Sequence, residues 1–447
     1  MKLTDLLRSR FEHDDDFFME RIFLAQRPVL IMGFRSLIDL PKTLSNLQVQ
    51  ARDAHNDAVE DVASSLSLLK DVGRVIEAPD VDALISSIIF GNLIVCFEDP
   101  DTYLDVAPVS NKLTRTIEEP LNENVLEGAA SAFNDDLMTN IGLLKKELNS
   151  GVLRTKVYTI GDREPRKLAL LYMDDLVEPR LLAEMTRRIE DHKRMNLHNM
   201  QKLGIMLGFH PWRVVPKFNT SELPIEAAHT LRQGRVVLFL DRFPFALMIP
   251  TLIGDIFTME NDRNYPLLFM HIIRALRIIG IMTNLVMPGL YVALVSVNPE
   301  VLRIELALTI AQSRSGVPYP ALVETLLLLI VLELVIVASV RLPKSVGPTL
   351  TVVGGIILGQ AVVEAKLVSS LLIIILAATT IANSAVVGFQ NSLPVRLFKY
   401  LVLVLASLFG VLGLMSGLVI ICAYLASVTT YGIPYFHIVK PKDDSHG

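Results

Sequence analysis

The residues able to do chemistry in this chain stand where polar groups are most costly. Glu324, Glu333, Gln360, Glu364 and Asn383 lie within or at the edges of three apolar segments that follow one another between Val317 and Gly388. A carboxylate in mid-bilayer costs at least about 2.5 kcal/mol, so such groups face a protein interior or a water-filled path. Glu333 sits in the middle of LLLLIVLELVIVASV and has two readings: a neutral carboxyl bonded to a neighbouring helix, or a residue lining an ion path or its gate. Gln360, in GGIILGQAVVEA, reads as a hydrogen-bonding contact between helices, and Glu324 and Glu364, near segment ends, read as interfacial. The five together are the candidates for ion conduction or gating.

No nucleophile–base constellation accompanies them, so enzyme activity is not expected. No Gly-rich phosphate loop follows a strand and no paired Cys/His spacing occurs, so neither a cofactor nor a metal is expected. The two cysteines, Cys96 and Cys422, fall in an expected strand and an expected span, which excludes a disulfide framework. A net charge of −5 without a basic block gives no indication of nucleic-acid binding.

The elements that must position the polar set divide the 447 residues in two. Up to about Thr230 the chain is dense in charge with short apolar runs; from about Pro266 to Tyr435 charges are sparse and apolar runs long. The expected architecture is an α/β N-terminal region (1–235), an interfacial or re-entrant linker (236–265) containing FPFALMIPTLIGDIF, an all-α polytopic membrane domain (266–436), and a short polar tail (437–447). The opening residues carry no apolar signal segment, so the N-terminal region is expected in the cytoplasm. Five spans are expected, at about 271–297, 318–340, 347–366, 370–389 and 397–427, each at least the roughly 20 residues that a bilayer crossing needs and the last of them long. Arg274 and Arg277 mark entry to the first. Arg341 followed by Pro343 reads as a snorkelling boundary residue and a helix stop. VLRIELALTIAQS, between the first two spans, suits a helix lying in the interface. Gly410, Gly413 and Gly417 suit close helix contact, or a tilted or broken last segment, and two shorter passages there stay open.

Within the N-terminal region, Leu44, Leu47, Ala51, Ala54, Ala58, Val62, Leu66 and Leu69 mark one face of a helix. A helix from Asp80 to about Gly91 leads into a strand, NLIVCFE, and TYLDVAP reads as its neighbour. A helix opening at Ser131 stops at Gly151. LRTKVYTI and RKLALLYM form a strand pair around Gly161-Asp162, Pro179 starts a helix to about Met195, a short helix covers Leu197 to Phe209, and RVVLFLDR is strand-like. Two small lobes divided near 117–128 are expected. The first 40 residues support no fold assignment.

The ordered motifs resemble a known family. EEPLNENVLEGAASAFNDDLMTN at 118–140, TSELP at 220–224, GRVVLFLDRFPFAL at 234–247, MPGLYVAL at 287–294, SRSGVPYPALVE at 313–324, RLP at 341–343, GQAVV at 359–363 and YGIPYF at 431–436 are together similar to the A subunit of GerA-type spore germinant receptors. Pro318, Pro320, Arg341, Pro343, Gly359 and Pro434 are the structural positions of these motifs. Asp241-Arg242-Phe243-Pro244 stands where that family usually has Asp-Gly-Ser-Pro. The resemblance implies a multi-pass subunit of a nutrient receptor in the inner membrane of the dormant spore. It implies a transporter-like B subunit and a lipoprotein C subunit as partners, and homo-oligomers that conduct ions when nutrient binds. A diverged paralogue serving another spore-membrane channel, or a stand-alone secondary transporter, are the alternatives.

Overall fold

The computed structural model describes residues 3–24, 27–56, 73–76, 81–97, 102–109, 131–216, 218–341, 355 and 359–437. The chain forms two compact units, one of residues 1–213 and 217–251, the other of 214–216 and 252–438; the tail from 439 lies outside the described residues.

The first unit holds two five-stranded antiparallel sheets. The first sheet contains β1 (Phe17–Leu24), β2 (Arg27–Phe34), β3 (Arg74–Ile76), β4 (Leu93–Phe97) and β5 (Thr102–Val106), in the order β1-β2-β4-β5-β3. The second contains β6 (Leu153–Ile160), β7 (Arg166–Met173), β8 (Asn219–Ser221), β9 (Val236–Leu240) and β10 (Ala246–Ile249), in the order β6-β7-β9-β10-β8. The strand order is the same in both, and in both a helix precedes the opening hairpin (Leu3–Phe11 and Leu137–Leu148) and helices flank the short third strand. The two sheets are thus two copies of one topology. The residues between them, 110–130, lie outside the described residues, as do 57–72, the far part of the expected 44–69 helix. That helix is described as Leu40–Asn56.

The first 40 residues, unassigned from sequence, form a helix and the β1–β2 hairpin, and Leu7, Phe11, Phe18 and Ile31 are core residues of the first lobe. The helix expected from Ser131 begins six residues later at Leu137, because Asp136 is its N-cap and accepts the Thr139 N–H at 2.9 Å. The stretch expected as an interfacial linker is corrected at its start. Val236–Leu240, read as a strand from sequence, pairs along Leu238–Leu247 with a further buried strand, Ala246–Ile249, so ALMI of the expected linker belongs to the α/β core. A strand buried on both faces reads as a continuous apolar run, which sequence alone cannot separate from a membrane-seeking one. In the turn between these strands Arg242 adopts φ +67.

A buried ionic cluster joins the lobes. Lys145 Nζ pairs with Asp16 at 2.7 Å and Asp14 at 3.0 Å and lies 3.5 Å from the centroid of the Phe34 ring. Asp16 also accepts the Ser36 N–H (2.9 Å) and hydroxyl (2.6 Å). Burial raises the Asp14 carboxyl above its ordinary range against the opposing pull of Lys145.

In the second unit three helices are long and apolar enough to cross a membrane, among the described residues: 267–297, 321–338 and 390–427. Ser370–Asn383 is a shorter apolar helix. Of the five expected spans, the one at 347–366 falls largely outside the described residues. The last is resolved into a hairpin. Gly410 has φ +62 and ψ −139, conformations open almost only to glycine. Beyond it the chain doubles back: a Cβ on Gly417 would meet the Val402 backbone at 3.3 Å, and the Phe398 and Tyr424 rings are 5.9 Å apart. The Phe389–Ser427 helix is therefore two antiparallel limbs, 389–409 and 411–427, about 31 and 25 Å long at 1.5 Å per residue. Gly413 and Gly417 let the limbs approach, as small residues do between membrane helices.

Candidate functional site

Glu333 lies about 18 Å along the Ala321–Arg341 helix from its start, at 1.5 Å per residue. Facing it are Arg396 and Lys399. Arg396 Nε donates to Glu333 Oε1 at 3.2 Å and its Nη2 pairs with Oε2; Lys399 Nζ is 3.5 Å from Oε1. The guanidinium and the ammonium group are placed to pair with an ionised carboxylate. Both basic residues lie within the apolar helical segment 390–427. The helix begins at Phe389, eight residues before the expected start, and carries Arg396 and Lys399 inside it, 8% and 6% exposed. Pro394, one turn into the helix and before the first basic residue, obscured that start. The cluster holds two cations against one carboxylate, within a unit whose other buried residues are mostly apolar.

A second cluster centres on Glu324, which is fully buried within the helical unit. Its Oε1 accepts the Ser369 backbone N–H at 2.5 Å, and Arg314 Nε lies 3.4 Å from Oε2. Ser369 is the N-cap of the Ser370–Asn383 helix, so the carboxylate sits at the positive end of that helix dipole. The Tyr291 hydroxyl joins the Ser369 hydroxyl at 3.0 Å. The helix terminus offsets part of the desolvation, while Glu324 Oε2 and Arg314 Nε face each other without a hydrogen bond. The link from 324 to 369 spans a sequence distance at which no local pattern could signal it.

Asn383 accepts from Asn284 Nδ2 at 2.9 Å, joining two apolar helices, and Asn284 is buried. Gln360 and Glu364 are both exposed; with Gly359, Val363, Ser370 and Ile374 they line a shallow cleft of about 350 Å³. The structure thus brings Glu333 and Glu324 into two buried charge clusters, places Asn383 between helices, and leaves Gln360 and Glu364 at the surface of the unit. Pro318 and Pro320 precede the Ala321–Arg341 helix, where the Pro320 carbonyl accepts the Glu324 N–H. Arg341 ends that helix and Pro343 lies outside the described residues. Pro434 belongs to a two-residue strand that pairs with Thr429–Thr430 after the last helix. The helix Ile304–Ser313 buries none of its residues; Ile304, Leu306 and Leu308 are exposed. Among the described residues no group of three or more His, Cys, Asp or Glu is placed to hold a metal ion.

The family described as Bacillus/Clostridium GerA spore germination protein matches residues 5–446. Spore germination protein A1 of Bacillus subtilis (strain 168) is 27% identical over 446 residues, 98% of this chain and 92% of that one. Spore germination protein GerLA of Bacillus cereus is 28% identical over 395 residues, 88% of this chain and 80% of that one. Spore germination protein B1 of Bacillus subtilis (strain 168) is 30% identical over 325 residues, 72% of this chain and 67% of that one. The crystal structure of the N-terminal domain of the A subunit of the Bacillus megaterium spore germinant receptor GerK3 is similar with a TM-score of 0.41 and 19% identity, over 56% of this chain and 94% of that one.

Proposed function

The chain belongs to the Bacillus/Clostridium GerA spore germination protein family, and from that membership we propose that it is the ion-conducting membrane subunit of a nutrient germinant receptor. It acts without catalysis and without a cofactor, in the inner membrane of the spore. Its partners are a transporter-like subunit that binds nutrient, a lipoprotein subunit, and further copies of itself.

The observation that carries this reading is the Glu333–Arg396–Lys399 cluster inside an apolar helical unit. A pure anchor has no use for three ionisable groups at such depth, whereas ion paths do. Both limbs of the 389–427 hairpin cross the bilayer in this reading, so the last segment is two passages and the C-terminal tail returns to the side on which the Leu267 helix starts. The N-terminal region then faces the cytoplasm.

The test is reconstitution of the full chain with its two partner subunits in liposomes loaded with potassium. The expected result is copurification of all three, an oligomer of this chain, and potassium efflux on adding a nutrient broth. Lys399→Met should change the ion selectivity of that efflux by removing one of the two cations. A chain that stays monomeric, binds neither partner and leaves the potassium trapped would refute the proposal and favour the stand-alone reading.

A further inference from the structure

The chain has one tryptophan, Trp212, and it is 87% exposed. It stands in a tight turn of the first unit in which the Arg213 N–H bonds the His210 carbonyl at 3.2 Å and the Trp212 N–H bonds His210 Nδ1 at 3.3 Å. Phe209, immediately before the turn, is buried. Among the described residues of the first unit, none covers most of the indole. A large aromatic surface left in water is unusual for a ring that gains so much from burial.

The next residues explain what could cover it. Val214–Pro216 belongs to the helical unit. The Val214 N–H donates to the Tyr424 hydroxyl at 3.2 Å, and Val215 is buried beside Val428 and Tyr435. Tyr424 lies about 21 Å down its limb from Gly410, at 1.5 Å per residue, and Val428 ends that limb. The same end of the unit carries Ile253 and Ile256, the Val387–Ile256 backbone bond, and the partly or fully exposed Tyr431 and Phe436. Arg277 marks the same level on the first long helix, where it binds Asp262 and the Phe257 carbonyl about 31 Å, or 21 residues, below Asn298. That separation equals the thickness of a bilayer's hydrocarbon core, about 30 Å. Tyrosines gathered at one end of apolar helices with an arginine are the pattern of a membrane–water interface.

Two peptide bonds separate Trp212 from Val214, so their Cα atoms are at most about 8 Å apart. We propose that Trp212 is a membrane-interface anchor: its indole inserts into the headgroup layer of the bilayer. The occupant of this exposed ring is lipid. The inference rests on the reading of the 267–427 helices as membrane-spanning, and its test separates the two.

The full chain in liposomes of phosphatidylethanolamine and phosphatidylglycerol reports on this position directly, since Trp212 is then the one tryptophan in the sample. The expected result is blue-shifted emission, quenched strongly by lipids brominated near the headgroup end of the acyl chain, less by lipids brominated near the terminal methyl, and weakly by aqueous iodide. Emission at the position of tryptophan in water, quenched by iodide and not by brominated lipid, would overturn the proposal. So would blue-shifted emission quenched by neither, which would place protein over the ring. A Trp212→Phe, Ile420→Trp chain provides the control, because Ile420 is exposed midway along the 411–427 limb. If brominated lipid quenches that chain and not the parent, the anchor fails and the membrane reading stands; if it quenches neither, both fail.

Discussion

Asn298 Oδ1 accepts the backbone N–H of Val411 at 3.1 Å. One residue at the end of the first long helix thereby caps the second limb of a hairpin more than a hundred positions later. The bond fixes the tip of the 389–427 hairpin beside the loop that follows the first long helix. The limb that begins there ends at Val428, against Ile253 and Ile256 at the other end of the unit.

Labelling with an impermeant thiol reagent checks this arrangement. In a Cys422→Ser background, Val301→Cys and Leu412→Cys should react from one side of the membrane and Thr429→Cys from the other. All three positions are exposed. Reaction of Leu412→Cys and Thr429→Cys from the same side would show that the limbs do not cross.

The charge cluster predicts an asymmetry between its cations. Arg396→Met leaves Glu333 with the more distant Lys399 alone, and Glu333→Gln leaves two cations with no carboxylate; each should cost about 3–5 kcal/mol. Lys399→Met removes the surplus charge and should stay within about 1 kcal/mol of the parent or exceed it. Thermal unfolding of the full chain in nanodiscs gives the order. A Lys399→Met chain as damaged as Arg396→Met would show that the lysine is not surplus.

Arg242 holds φ +67 in a turn where its side chain is 74% exposed. Left-handed backbone costs a non-glycine residue roughly 1–2 kcal/mol, and glycine returns part of that gain through its freer unfolded chain. Arg242→Gly should therefore stabilise the α/β unit by up to about 1 kcal/mol, read as a raised denaturation midpoint with an unchanged slope. A lowered midpoint would mean that the arginine makes an interaction worth more than the strain.

Asp14 gives a pH dependence. Its folded carboxyl titrates above the ordinary range because burial disfavours the charged form. Its contribution to stability is then fully present below the unfolded carboxylate range and is lost as pH rises through the folded value. Asp14→Asn removes this dependence, so the variant should gain on the parent as pH is raised from the acid side of the carboxylate range to neutrality. A difference in unfolding temperature that stays constant with pH would contradict it.

What the sequence determined by itself is what depends on short-range pattern. Runs of strand length bounded by Gly161 or Pro179 identified β6, β7 and the helix after them, and the length of apolar runs separated the helical unit from the α/β unit. The polar residues with a charged environment to explain, Glu324 and Glu333, were visible because a carboxylate among leucines stands out wherever it falls. Tertiary structure alone decided what those carboxylates are paired with, since Ser369 and Arg396 are 45 and 63 positions away from them. It also decided that Ala246–Ile249 is a sheet strand and that Gly410 reverses the chain. An apolar run has the same composition in a protein core and in a bilayer, and a glycine permits a turn without requiring one. Only the partners present on each side, Leu238 across the sheet and Asn298 at the hairpin tip, select between the alternatives that local sequence leaves equal.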